Sequence, residues 1–335
     1  MRKLPPTTVN KDVLARLVEH GCDSSALLAR VELIQMEGLR RALMNIKGRD
    51  RIFPEMLPTQ ASLRWSTTRP PLATFDKRFW LHPAIRPDDR EWWLEWDWSG
   101  IESRMFTGYS GDPNDLEMFR SGRDIHTETA KILFGWSTLP GDWRGKDDKR
   151  RDISKNIRYG PYQYAKDERV ILSMPGLDTV GLDRHQALAA IRRLFAAHPA
   201  TVAFKQRTWE ECVRTRQART FLGHRRMLWG NADTMAKEGL NHKIQGGVAG
   251  MMDWCIIQIC HPALSRFLPG PLPRLILNKH DGAIIGFPST MDMHDVLSVC
   301  QGIVEREWEI EGNKISFPAT WVVWHAEGRR EELAA

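Results

Sequence analysis

The stretch Trp92-Trp93-Leu94-Glu95-Trp96-Asp97 decides the fold. It is aromatic and apolar, holds no glycine or proline, and reads as a short buried strand that ends on an acid. A second stretch shares that feature. Leu275-Ile-Leu-Asn278-Lys-His-Asp281-Gly282-Ala-Ile-Ile285 sets two apolar runs around a His-Asp-Gly turn, which predicts a hairpin. Between these signals the pattern predicts helices over 101–135, 147–160, 183–197 and 203–220, and one long, mostly buried helix from Asn241 to Cys260. Upstream, residues 10–48 read as helical, and Gly48 to Arg90 is Pro- and Thr-rich, which predicts irregular or extended chain. The order predicts an α+β protein whose sheet is assembled from strands far apart in sequence.

The 335 residues can bury a substantial core, which excludes the peptide-like and disordered classes. Cys22, Cys212, Cys255, Cys260 and Cys300 are odd in number and form no C-x-x-C. Neither a disulfide framework nor a zinc ribbon is indicated, and a reducing compartment is expected. No run of about 18 uncharged apolar residues exists, and the N-terminus lacks a signal-peptide core, so no membrane partner is expected. The net charge is +6, and it is uneven. Arg144 to Arg169 holds nine basic residues against five acids, and Lys205 to Arg226 holds seven against two, so a polyanion is a plausible partner and solvated helix faces are the alternative.

Two strand-end acids, Asp97 and Asp281, suit phosphoryl transfer, because a rigid sheet can hold two divalent ions about 3.5–4 Å apart. Arg151, Lys155 and Tyr159 follow at i, i+4 and i+8 and share one helix face. A guanidinium and an ammonium there can hold a triphosphate, and the ring one turn later can carry the sugar or base. The Trp92, Trp93, Trp96 and Trp98 cluster reads as packing, with base stacking as the alternative, and Met251 and Met252 read as core. His185, His198, His261 and His294 read as structural or exposed.

These residues resemble the family A (pol I-type) DNA polymerases. Asp97-Trp-Ser-Gly-Ile-Glu102-Ser-Arg104 is similar to motif A, D-Y-S-Q-I-E-L-R, and is continued by Ser110-Gly-Asp-Pro113 and Gly122-Arg-Asp-Ile-His126. Arg151 to Gly160 resembles motif B, Asn241-His-Lys-Ile-Gln245-Gly246 the N-x-x-x-Q-G helix, and Lys279-His280-Asp281 motif C. Leu63-Arg64-Trp-Ser66 and Leu222-Gly-His-Arg225-Arg226 resemble two further segments, with order and spacing in agreement from about residue 50 to 290.

The resemblance implies a right-hand polymerase fold, with an antiparallel palm sheet and mostly helical fingers. It implies a helical thumb base over 1–60, palm over 61–118 and 240–335, and fingers over 119–239. Asp97 and Asp281 would bind two Mg²⁺ ions, with Mn²⁺ as a substitute. Arg151, Lys155 and His126 would hold the incoming dNTP, and Lys155 would protonate the leaving pyrophosphate. Tyr159 would stack on the sugar and base and ease acceptance of 3′-deoxy terminators, and Glu102 would exclude a ribose hydroxyl. Arg64, Asn241 and Gln245 would check pairing geometry in the minor groove, His280 would contact the primer terminus, and Arg225 with the basic runs would contact primer-template DNA.

A cytoplasmic setting, in a bacterial cell or a phage-infected host, is expected. So is a chain without proofreading exonuclease, with a separate thumb or exonuclease polypeptide as partner. The sequence departs from the family at Gly100, Gln163, Tyr164, Lys237 and Gly282, the last standing in place of a Glu. Three alternatives are a noncatalytic nucleic-acid-binding subunit, a split polymerase active only with a partner chain, and a primase-like or RNA-making nucleotidyltransferase. Glu102 disfavours the last.

Overall fold

A computed structural model describes residues 44, 51–52, 54–58, 62–68, 72, 85–164, 168–261, 271–279 and 281–333. Its contacts separate two units, Met1–Glu55 with Thr67–Asp76, and Met56–Ser66 with Lys77–Ala335. Few residues of the first are described. The helix expected over 10–48 lies outside the described residues, apart from helical Met44, and the described parts of 48–90 are extended at 55–57 and 66–68.

The second unit is built on a five-stranded antiparallel sheet. Its strands are β1 (Glu91–Trp98), β4 (Arg274–Asn278), β5 (Gly282–Pro288), β8 (Ala319–Trp324) and β9 (Arg330–Leu333), in the order β9-β8-β1-β5-β4. The run quoted first forms the central strand. Trp92, Trp93, Leu94, Trp96 and Trp98 are all buried, on both faces of the sheet. Trp92 stacks on Phe287 at 5.0 Å, and Trp96 meets Trp321 at 6.1 Å, so the tryptophans are packing residues. Each fully buried side chain of this size contributes about 1.5–3 kcal/mol.

Glu95 is the acid inside this strand, and it is neutralised from three elements. Lys279 donates to one oxygen, and Trp324 Nε1 (2.7 Å) and Arg330 (3.0 Å) donate to the other. Burial pulls its pKa up, and these three partners more than offset that, leaving it below the ordinary carboxylate value.

The helix expected over 101–135 is three helices: α1 (Ile101–Ser110), α2 (Pro113–Arg120) and α3 (Ile125–Phe134). Gly111 and Gly122 break it at φ +63° and +67°, and Asp112 and Asp124 cap the new N-termini. Helix α4 (Lys149–Ile157) does not stop at Gly160. It runs into a π turn, Arg158–Tyr162, that contains Pro161. Proline has no N–H for the carbonyl of Ile157, and the wider turn closes instead with Gln163 N–H on Arg158 O at 3.1 Å.

Helices α5 (Arg184–Ala197) and α6 (Pro199–Thr215) follow. The helix expected over 203–220 ends at Thr215 because Arg216 turns left-handed (φ +55°) into the ribbon β2 (Gln217–Arg219) and β3 (Arg225–Met227). The Asn241–Cys260 segment is helical but composite: α7 (Ala232–Asn241), a π turn His242–Gly246, and α8 (Gly247–Cys260). Met251 and Met252 are core. The chain closes through α9 (Met293–Val304) and the hairpin β6 (Trp308–Ile310) and β7 (Asn313–Ile315) before β8. Among the described residues no helix is long and apolar enough to cross a membrane.

Candidate active site

Asp97 stands exposed at the end of β1, and its register partner is Gly282, the first residue of β5, so Asp281 immediately precedes the neighbouring strand. Trp98 N–H donates to Asp281 O at 2.9 Å, which ties the two strand ends together. A Cβ on Gly282 would lie 2.0 Å from the carbonyl oxygen of Trp96. The backbones approach too closely there for any side chain, which accounts for glycine where the resembling motif has Glu.

Gly100, at φ +62°, turns the chain from β1 into α1 and brings Glu102 into the first helical turn beside the acid pair. Glu102 is a hub. One oxygen accepts from Arg64 (2.6 Å) and Gln245 (3.3 Å), and the other from the Tyr164 hydroxyl (2.9 Å). Arg64 also reaches Asp281 at 3.5 Å. The Asp281 pKa is raised to about 6, chiefly by burial, with Arg64 opposing and Glu102 and Asp97 adding to the rise. Concentrated carboxylate charge at two strand ends is a donor set suited to hard divalent cations.

On α4, Arg151 is held by Asp124 through two 2.8 Å hydrogen bonds, Lys155 is exposed, and Tyr159 lies 5.4 Å from the His126 ring. Burial, together with Arg151, Arg158 and Lys155, lowers the His126 pKa to about 4 against the opposing pull of Asp124, so the ring is neutral at pH 7. Asn241 and Gln245 are half-buried on the α7–α8 segment. Arg225 sits exposed on the β2–β3 ribbon and is not shown in contact with the acid pair, and His280 lies outside the described residues.

Sequence reasoning missed the role of Tyr164. The π turn advances the chain by one residue, so Tyr164 faces Glu102 while Gln163 is buried with its amide donating to Ser103 Oγ at 3.0 Å. The signal was Pro161 inside an otherwise helical run.

Sequence reasoning also missed a buried charge lattice behind α4. Arg158, fully buried, contacts Asp115 at 2.7 Å, and His198 Nε2 contacts the same oxygen at 3.1 Å. Asp112, Asp115 and His198 form a cluster of the size that can hold a cation. Here the cationic partner is already Arg158. Both His198 nitrogens face oxygens, Nδ1 toward Leu194 O at 2.8 Å, and burial is outweighed by Asp115 so that the ring pKa is raised. With both ring nitrogens directed at oxygens and the Arg158 guanidinium already on Asp115, the cluster is an ion-pair lattice.

Lys205 completes this support: its ammonium, buried at 4% exposure, donates to the carbonyl of Tyr162 at 2.7 Å over the Phe195 and Trp209 rings. Burial lowers its pKa from 10.5 to about 7. The unfolded chain therefore binds the extra proton between pH 7 and 10.5, and this residue makes folding more favourable as pH rises through that window. A Lys205→Met variant should lose that rise when melting temperatures are compared across the window. A cavity of about 910 Å³ opens beside Lys205, lined also by Tyr164, Phe195, Trp209 and Lys237.

Comparisons with known proteins identify the architecture. The structure superposes on the POL domain of Pol1 from M. smegmatis, in complex with DNA primer-template and dNTP, with a TM-score of 0.76 over 98% of this chain and 58% of that one, at 19% identity. The profile of DNA polymerase family A matches residues 7–318, and this chain belongs to that family. It is 30% identical over 240 residues to a thermostable DNA polymerase I of Thermus filiformis, covering 68% of this chain and 27% of that protein. Against DNA polymerase I of Helicobacter pylori it is 29% identical over 194 residues, 56% of this chain and 20% of that one. The chain thus spans about a fifth to a quarter of the length of these relatives.

Proposed function

We propose that this chain is a template-directed DNA polymerase that adds dNTPs to a primer 3′ end and releases pyrophosphate. One observation carries the reading: Asp97 and Asp281, far apart in sequence, sit at the ends of adjacent central strands beside Glu102. Asp97 and Asp281 would hold two Mg²⁺ ions, with Mn²⁺ as a substitute. Those ions would supply a lowered pKa for the primer hydroxyl and charge neutralisation on the phosphates.

The chain's own residues bind and orient. Lys155 and Arg151 hold the triphosphate, Arg151 sharing its fork with Asp124, and the Lys155 ammonium gives its proton to the leaving oxygen. Neutral His126 contacts the phosphates and supports the Tyr159 ring, on which the sugar and base stack. Glu102 packs against C2′ of the sugar and excludes a ribose hydroxyl. Arg64, Asn241, Gln245 and His280 grip the terminal base pair, and Arg225 the strand backbone. The cavity beside Tyr164 has room for a template base. Palm (61–118, 240–335), fingers (119–239) and thumb base (1–60) are our assignment of these parts. A cytoplasmic setting and a separate thumb or exonuclease partner belong to the same reading.

Primer extension with Mg²⁺ and the four dNTPs tests it, and a chain that extends no primer at low salt, with or without a partner, contradicts it. The Glu102 hub gives a second expectation. Tyr164→Phe removes one of the donors that fix the gate, a hydrogen bond to a charged group worth about 1.5–3 kcal/mol. Discrimination against ribonucleotides, measured as the ratio of kcat/KM for dNTP over NTP, should fall about tenfold with little change in melting temperature.

A further inference from the structure

The β2–β3 ribbon presents a surface of which the proposed function uses only Arg225. Its register places Arg219 directly opposite Arg225, both exposed. Like charges opposite one another on a strand pair destabilise it unless an anion lies between them. Among the described residues no acid is paired with either. The nearby carboxylates are engaged elsewhere: Glu238 accepts from Arg226 (2.7 Å), Glu210 from Gln206 (2.6 Å), and Glu211 faces Lys243 at 3.5 Å. Arg214 and Arg216 add two further exposed guanidinium groups.

Along β3 and the two residues that follow it, exposed Arg225, Met227 and Trp229 alternate with half-buried Arg226 and buried Leu228. Trp229 is 69% exposed and Met227 51%, so a large indole face and an apolar neighbour stand in water four and two residues beyond Arg225. The ribbon that carries them is anchored. Phe221 N–H donates to the Tyr109 hydroxyl at 2.7 Å, and His242, on the turn that leads to Gln245, approaches His224 O at 3.3 Å. A fixed scaffold presents an aromatic face with paired cations next to the segment bearing Asn241 and Gln245.

We propose that this ribbon binds single-stranded nucleic acid, a base stacking on Trp229 and phosphates further along the same strand held by Arg219 and Arg225. Resting on the polymerase reading, the occupant is the unpaired stretch of the template. Duplex DNA does not fit as well, because its base faces are already stacked, whereas an unpaired base has a free face for the indole.

The test measures binding by the full chain of a labelled oligo-dT, a blunt duplex, and a primed template with a 5′ overhang. Trp229→Ala should weaken oligo-dT and overhang binding about tenfold, while leaving the blunt duplex within about twofold. Trp229→Phe should keep most of the affinity. Arg219→Gln should lower the slope of log affinity against log salt for oligo-dT by about 0.7.

Unchanged oligo-dT binding by Trp229→Ala, or an equal loss on the blunt duplex, overturns the proposal. The second outcome would make the ribbon a duplex contact. Because binding requires no catalysis, the two readings fail separately. Trp229-dependent binding by a chain that extends no primer keeps this proposal and removes the polymerase one, and normal extension with Trp229-independent binding does the reverse.

Discussion

Asp97→Asn and Asp281→Asn should each lower the rate of nucleotide addition by about a thousandfold, because a metal site contributes several kcal/mol to a transition state and each 1.4 kcal/mol is tenfold. The substitutions keep shape and remove charge. Asp97 is exposed at the strand end, and Asp281 is half-buried beside two other acids, so neutralising it relieves like-charge repulsion at the cost of a 3.5 Å contact with Arg64. Both variants should therefore melt within a few degrees of the wild type. Single-turnover extension at saturating dNTP reads the rate, and calorimetry reads the fold. Near-wild-type rates in either variant would remove the role assigned to that carboxylate.

The largest effect on stability is expected at Arg158→Met. It strands the buried Asp115 carboxylate with only His198 and the Tyr162 hydroxyl, and breaking one side of a buried ion pair costs about 3–5 kcal/mol. For a chain of this size that lowers the melting temperature by on the order of 5–10 °C. Arg158 lies one residue before Tyr159 and donates to Thr129 Oγ1 at 3.1 Å on the helix that carries His126, so KM for dNTP should rise as well. Adding Asp115→Asn removes the orphaned charge, and the double variant should recover most of the loss. Additive losses in the double variant would show that the lattice does not act through this pair.

What was legible in the sequence was local. The Trp92–Asp97 strand, the hairpin around Asp281 and the shared face of Arg151, Lys155 and Tyr159 follow from composition and periodicity over a few residues. The breaks at Gly111 and Gly122 are marked in Ser110-Gly-Asp-Pro113 and Gly122-Arg-Asp124, each a glycine followed by an Asp that caps the next helix. The Asp115, Arg158 and His198 lattice was not readable, because each residue alone fits an ordinary helix or cap and only packing unites them. Tyr164 was hidden for a different reason. Counting along an ideal helix puts Gln163 where the π turn delivers Tyr164, and a one-residue change of register comes from backbone hydrogen bonding at Pro161. Gly282 was visible as a departure, but its cause, a 2.0 Å approach to the Trp96 carbonyl, is a property of two strands distant in sequence.

The central claim is tested most directly by primer extension with each dNTP offered singly against four templates that differ only in the first unpaired base. The account predicts a one-nucleotide product with Mg²⁺ only when the dNTP complements that base, and little product with the matching ribonucleotide. Absence of extension on every template, or addition that ignores the template base, would contradict it.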